Sequence, residues 1–286
     1  MNANVYIAAL PRSGATLLGM MLNQHQDGFY MGESFFWGKF IPGTSKCSCG
    51  DSNCVTLMNV WERVNGVPEI MKISETCAIL DDLPESGKQI FIDNTLLQAI
   101  ESSCRGFDLL ANVFREETSK RVLVDSSSNI RLAQRLMQAH QWKIILLIRD
   151  PRGIMYSQKK ADVRHGITKP LSRQVHSLVD FANNAQAMIG MSNVLFVKYE
   201  ELCSQPVIEL EKISDFLGIN FDMRMLRFRA DSGHIVMGNR MRLGGSEKIV
   251  EDLSWISGLS LTERGVIYDN PGLVSLYNNF GYQLVS

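Results

Sequence analysis

The sequence carries no excess of charge: 29 Lys and Arg stand against 30 Asp and Glu, a formal charge of −1. Such a balance removes the broad positive field used by non-specific nucleic-acid or anionic-membrane binding, so any anion site must be built locally. Long apolar runs are missing too. The strongest near the start, Val5 to Leu10, falls far short of the ~20 residues that cross a bilayer, and it lacks the basic flank and cleavage site of a signal peptide. A cytoplasmic protein without a membrane span is the expectation. Internal repeats and low-complexity linkers are absent as well, which leaves out solenoids and tethered arrays. What remains, 286 residues of which 45% are hydrophobic, suffices for a large core.

Six cysteines are present, three of them crowded into Cys47-Ser-Cys49-Gly-Asp-Ser-Asn-Cys54. A zinc site normally needs four ligands in paired spacing, and no fourth Cys or His lies close by along the chain. The segment therefore reads as a turn held by buried thiols, with no metal.

Four apolar runs that end at a polar residue read as buried parallel strands: Val5 to Leu10, Arg121 to Asp125, Lys143 to Ile148 and Val194 to Lys198. Helical patterns alternate with them at Gly14 to Gln24, Asn129 to His140, Pro151 to Ala161, Leu171 to Met191 and Glu200 to Leu217, with Gly218 as a stop. This alternation predicts an α/β fold with a doubly wound, mainly parallel sheet and flanking helices. Residues 35–120 show helical periodicity without a strong strand and read as a helical insertion. A basic, glycine-rich loop at about 232–248 precedes a final helix or two, and the whole of 1–286 reads as one domain.

The first strand runs into Pro11-Arg12-Ser13-Gly14-Ala15-Thr16 and then a helix. That arrangement aims unpaired backbone N–H groups and the positive helix end at an anion. Gly14 permits close approach, Ser13 and Thr16 supply hydroxyls, and Arg12 supplies charge. A nucleoside-triphosphate P-loop needs Lys where this chain has Ala15, which counts against a nucleotide kinase. A second candidate anion site lies at Leu146-Leu147-Ile148-Arg149-Asp150-Pro151-Arg152, with Ser157 eight residues beyond Arg149 on the following helix. Taken singly, each site also reads as an ordinary strand-to-helix turn, the second with a local Arg149–Asp150 ion pair. Taken together, two anion sites at strand ends suit a ligand with two separate phosphates.

On these segments the chain resembles the family of sulfotransferases that use 3′-phosphoadenosine 5′-phosphosulfate (PAPS), in a bacterial-type branch. LPRSGATLL is similar to the family's 5′-phosphosulfate loop and LLIRDPRGIMYS to its 3′-phosphate motif; CSCGDSNC, VDSSS, VKYEEL, FLGI, HIVMGNRMRLGG and YNNFGY extend the likeness over nearly the whole length. The resemblance implies a P-loop-like fold and transfer of a sulfuryl group to an acceptor hydroxyl, releasing adenosine 3′,5′-bisphosphate (PAP), with no metal. By it Arg12, Ser13, Gly14, Ala15 and Thr16 hold the 5′-phosphosulfate, Arg149 and Ser157 hold the 3′-phosphate, and the 232–248 loop covers the nucleotide through Asn239, Arg240 and Arg242. Glu33, twenty-one residues after Arg12, matches the general base of glutamate-base members similar to the tyrosylprotein sulfotransferases, with His25 as runner-up. One departure stands out: related bacterial sequences carry Asp-Ser-Ser-Lys where this chain has Asp125-Ser126-Ser127-Ser128, so a relative that binds PAPS or PAP without catalysis is the alternative. The acceptor expected is a small-molecule, lipid or carbohydrate alcohol, or else a protein tyrosine; Phe35, Phe36, Trp37, Phe40 and Trp61 of the insertion would line its pocket or fill the core.

Overall fold

Aliphatic and β-branched residues dominate most of the sheet in the computed structural model of the protein, which describes residues 2–81, 94–167 and 171–284. Its strands are β1 (Ala3–Ala8), β2 (Gly28–Gly32), β3 (Val122–Asp125), β4 (Lys143–Ile148) and β5 (Val194–Lys198). They pair in the order β2-β3-β1-β4-β5, every pairing parallel. Alternation along each strand divides the apolar side chains between two faces. Val5, Ile7, Val124, Ile145 and Leu147 pack on one; Tyr6, Ala8, Leu123, Ile144 and Leu146 pack on the other. Both faces are buried, which is why these strands read as unbroken apolar runs.

Helices α1 (Ala15–Asn23), α2 (Val55–Val64), α3 (Pro68–Asp81), α4 (Asn94–Thr118), α5 (Ile130–His140), α6 (Pro151–Arg164), α7 (Leu171–Met188), α8 (Tyr199–Ser204), α9 (Pro206–Leu217), α10 (Trp255–Gly258), α11 (Leu261–Tyr268) and α12 (Pro271–Asn279) surround the sheet. The first, eighth and ninth cover the Val5 face, whereas the insertion helices α2 to α4 and most of the others cover the Tyr6 face. The α/β architecture thus agrees with the sequence reading, as does the helical character of the insertion over its described part; residues 82–93 of the expected insertion lie outside the described residues. Several boundaries differ, and one strand is new. Ala9 and Leu10 leave the sheet to enter the turn, so β1 lies two residues earlier than expected. The expected helix from Glu200 to Leu217 is two helices, because Pro206 has no N–H to give and starts a new one. Strand β2 was not foreseen at all: Gly-Phe-Tyr-Met-Gly is bracketed by glycines and lacks β-branched residues, yet all five positions are buried against β3.

Helix α3 packs closely on α4, and Gly106 is the contact point: a Cβ there would lie 2.5 Å from the Glu69 carbonyl oxygen. An alanine normally favours a helix by ~1 kcal/mol over glycine. Here the steric conflict with backbone wins, and Gly106→Ala is expected to destabilise the fold by about 1–3 kcal/mol in urea titration. An unchanged midpoint would show that the two helices can separate freely.

Candidate functional site

The carboxyl ends of β1, β3 and β4 open onto one cavity of about 1070 Å³. Its first wall is the turn between β1 and α1. Arg12 and Gly14 both take left-handed backbone angles, φ 75° and 96°, which folds the turn back on itself. The N-cap of α1 is Gly14, which has no side chain to cap it, so the first-turn N–H groups, which lack partners within the helix, face outward from its start. The Ser13 hydroxyl is buried and has no hydrogen-bond partner among the described residues. A buried polar atom left unpaired costs roughly 1–3 kcal/mol, which marks this one as waiting for an acceptor or donor. Arg12, Gly14, Ala15 and Thr16 line the cavity.

Arg149 closes the second wall, and the alternative of a local pair with Asp150 is not what forms. Asp150 caps α6 by accepting the Arg152 N–H at 2.8 Å and holds the Arg152 guanidinium, whose pKa it raises. Arg149 turns the other way. Its Nη1 donates to the Arg12 carbonyl at 2.8 Å, its Nη2 to the Asp252 carbonyl at 3.0 Å, and its guanidinium lies 4.3 Å over the Tyr199 ring. The same ring packs on Gly14, where a Cβ would meet it at 2.5 Å. Tyr199 thus links the two candidate anion loops, a contact no feature of the sequence foretold. The Asp252 carboxylate sits 3.8 Å from Arg149 Nη2 and 3.3 Å from Lys160 Nζ, so two cations already converge on an anion, and Ser157 lines the same cavity.

Glu33 reaches the cavity from the end of β2. Burial, followed by the nearby Asp125 carboxylate, pushes its pKa up to about 7 against the pull of Arg12 and Arg242. Asp125 itself is fully buried and raised to about 6 by that burial, although the Ser34 and Ser127 amides donate to it at 2.9 and 2.8 Å. These bonds tie β3 to the residue after Glu33, so Asp125 orients the Glu33 turn. Gly238, with φ 120°, lies above both: a Cβ there would be 3.5 Å from Glu33 Oε1 and 3.9 Å from Thr16 Oγ1. Ser128 lines the cavity in a left-handed conformation, φ 63°.

The other expected residues divide between the cavity and the rest of the fold. His25 is away from the cavity: its Nε2 contacts the Asn220 carbonyl at 3.0 Å and its Nδ1 accepts the Asp27 N–H at 3.0 Å. In the covering loop Asn239 lines the cavity while capping Met241 N–H at 3.1 Å, whereas Arg240 is exposed. Arg242 turns back to the Lys46 and Ile235 carbonyls at 2.9 and 3.4 Å. Among the aromatic residues of the insertion, Phe35 and Phe36 line the cavity with centroids 3.9 Å apart; Trp37 and Phe40 belong to the core, and Trp61 packs against it.

Comparison with known proteins gives the following. A family model described as "Sulfotransferase family" matches residues 4–223. Carbohydrate sulfotransferase 1 of Rattus norvegicus is 24% identical over 277 residues; the match covers 79% of this chain, which spans 66% of that relative's length. Among solved structures, the sulfotransferase domain of the Synechococcus PCC 7002 olefin synthase aligns over 98% of this chain and 95% of its own, with TM-score 0.53 and 19% identity. Mouse sulfotransferase SULT7A1 complexed with PAP aligns over 98% and 84%, with TM-score 0.50 and 16% identity. At these identities the structural likeness concerns the fold.

Proposed function

Since the chain belongs to the sulfotransferase family, we propose that it transfers the sulfuryl group of PAPS to an acceptor hydroxyl in the cavity between Arg12, Glu33 and Arg149. The carrying observation is the 2.8 Å bond from Arg149 to the Arg12 carbonyl, which makes the two anion-binding turns neighbours in one cavity. A single ribose bearing a 3′-phosphate and a 5′-phosphosulfate could then reach both. The donor chemistry fits: free first-turn amides, the unpaired Ser13 hydroxyl and Arg12 suit the phosphosulfate, while Arg149, Ser157 and Lys160 suit the phosphate. Apolar Phe228 and Met241 along the same cavity offer surface to a base. PAP in the mouse neighbour accords with this reading.

In the proposed reaction Glu33 accepts the proton of the acceptor hydroxyl while its oxygen forms a bond to sulfur. The bond from sulfur to the bridging oxygen breaks in line, and that oxygen leaves with the 5′-phosphate of PAP. Negative charge growing there is met by Arg12 and the loop amides. Beyond Glu33, Phe35 and Phe36 form an aromatic surface beside the polar groups of Arg131, Arg173 and Asp180. Such a wall suits a carbohydrate or small-molecule alcohol better than a lipid chain, in keeping with the carbohydrate sulfotransferase among the relatives.

The deciding measurement is thermal shift with PAP, AMP and MgATP. PAP should stabilise the protein far more than AMP at equal concentration, and Arg149→Met should weaken PAP by about 10–100-fold while changing AMP little, as expected for one lost charge-assisted contact. A magnesium-dependent ATP shift larger than that of PAP overturns the proposal in favour of a kinase.

A further inference from the structure

The cluster Cys47-Cys49-Cys54 carries no part of the reaction above, and the fold changes what it can do. His234, 180 residues after Cys54 in sequence, brings its Nδ1 to 3.1 Å from Cys54 Sγ and 4.0 Å from Cys47 Sγ. With Cys49 Sγ, the four potential ligand atoms all lie within 4.8 Å of one another. The expectation that the cysteines lack a fourth partner is corrected: the partner is remote along the chain and adjacent in space.

We propose that Cys47, Cys49, Cys54 and His234 form a tetrahedral zinc site that pins the 233–243 loop to the 46–54 turn over the cavity. Zinc at about 2.3 Å from sulfur and 2.0–2.1 Å from imidazole nitrogen would set ligand atoms about 3.5–3.8 Å apart, which the observed contacts of 3.1 to 4.8 Å bracket. Three thiolates and one imidazole are a soft set that selects zinc over magnesium or calcium. Four protein ligands leave no open position, so the role is structural rather than catalytic. A disulfide accounts for less. Three thiols leave one unpaired in any pairing, and the histidine nitrogen aimed at sulfur would have no purpose.

The surroundings are assembled for such a centre. Gly50 N–H donates to the Cys47 carbonyl at 2.9 Å, closing a tight turn between the first ligands. Ser48 joins this turn to the strip that carries His234. Its N–H donates to the Ile235 carbonyl at 2.9 Å, its hydroxyl donates to the Gly233 carbonyl at 3.0 Å, and the same hydroxyl accepts the Ile235 N–H at 2.8 Å. Arg242, close enough to interact with Cys47, bonds to the carbonyls of Lys46 and Ile235 and offsets the net negative charge of a zinc ion with three thiolates. Its position away from the cavity is thereby explained. Four residues after His234 comes Gly238, the residue above Glu33.

The metal site stands independently of the sulfuryl-transfer reading, and so does its test. The full chain, expressed with zinc in the medium and purified without chelator, should contain about one zinc per protein by elemental analysis. Growth in cobalt should instead give the absorption bands of a tetrahedral thiolate centre. Cys49→Ser and His234→Gln should each abolish stoichiometric metal, whereas Cys104→Ala, a buried cysteine outside the cluster, should keep it. Hydrogen exchange at 233–243 should quicken in Cys49→Ser and at zinc removal while β1 and β4 stay protected. A folded wild-type protein without stoichiometric metal, whether its thiols titrate free or a disulfide is found by mass spectrometry, overturns the site. Metal present with unchanged exchange at 233–243 overturns the pinning role.

Discussion

Glu33→Gln lowers kcat for transfer from PAPS by about 10²–10⁴-fold, the usual contribution of a positioned general base, while the Kd for PAP is nearly unchanged. The substitution keeps shape and removes only proton affinity, so equal losses in affinity and turnover would remove the base assignment. Proton affinity also sets the pH profile. With its pKa raised to about 7, the proposed base Glu33 is ionised only above neutrality, so wild-type kcat/KM is expected to rise with pH and level off beyond that point. Asp125, raised to about 6, is a competing carboxyl, but it is fully buried and bonded to two backbone amides, and its loss would be a loss of structure. A Glu33→Gln enzyme that retains the same acid limb would point to another base.

Stability supplies a second readout with a definite sign. The folded pKa of Glu33 lies above its ordinary value of 4.5, so the native state holds this proton more tightly than the unfolded chain. Stability from that proton is complete below the unfolded pKa and is lost as pH rises through about 7. Neutral glutamine avoids the loss. Glu33→Gln should therefore melt like wild type at acid pH and be the more stable protein above pH ~7, by roughly 1–3 kcal/mol. A lower melting temperature at alkaline pH would mean that Glu33 is stabilised by its arginines more than burial costs it.

Arg12→Ala cuts turnover by about 10²–10³-fold, the loss that follows removal of one preorganised donor from a developing oxyanion. Burial and the neighbouring Arg164 lower the Arg12 pKa, with Glu33 and Asp162 opposing them, so the guanidinium is partly desolvated at the site. Its backbone adds a useful control. At φ 75° a side chain costs on the order of 1 kcal/mol, and glycine adopts this conformation without strain. Arg12→Gly should accordingly match Arg12→Ala in lost turnover and melt higher than it. Wild-type-like rates in either variant would exclude the role, whatever the melting temperature.

Both candidate anion turns are visible in the sequence because each is local: apolar strand, turn residues and helix start follow one another, and a helix N-terminus favours an anion. The alternation of strands and helices was legible for the same reason, each period being set by neighbouring residues. Strand β2 escaped because five residues between glycines become a strand only when β3 offers its free edge. What lies far apart in sequence had to wait for the fold. Local pattern could not tell that Arg149 bonds to Arg12 rather than Asp150, that Tyr199 lies under both turns, or that His234 meets Cys54, since each contact joins segments far apart in the chain. Local chemistry along the chain determined which residues could grip an anion or a metal. Only the tertiary structure decided which of them meet: the parallel sheet order, which sets β1 between β3 and β4, brings the Arg12 and Arg149 turns together, and the packing of two remote loops brings His234 to the cysteines.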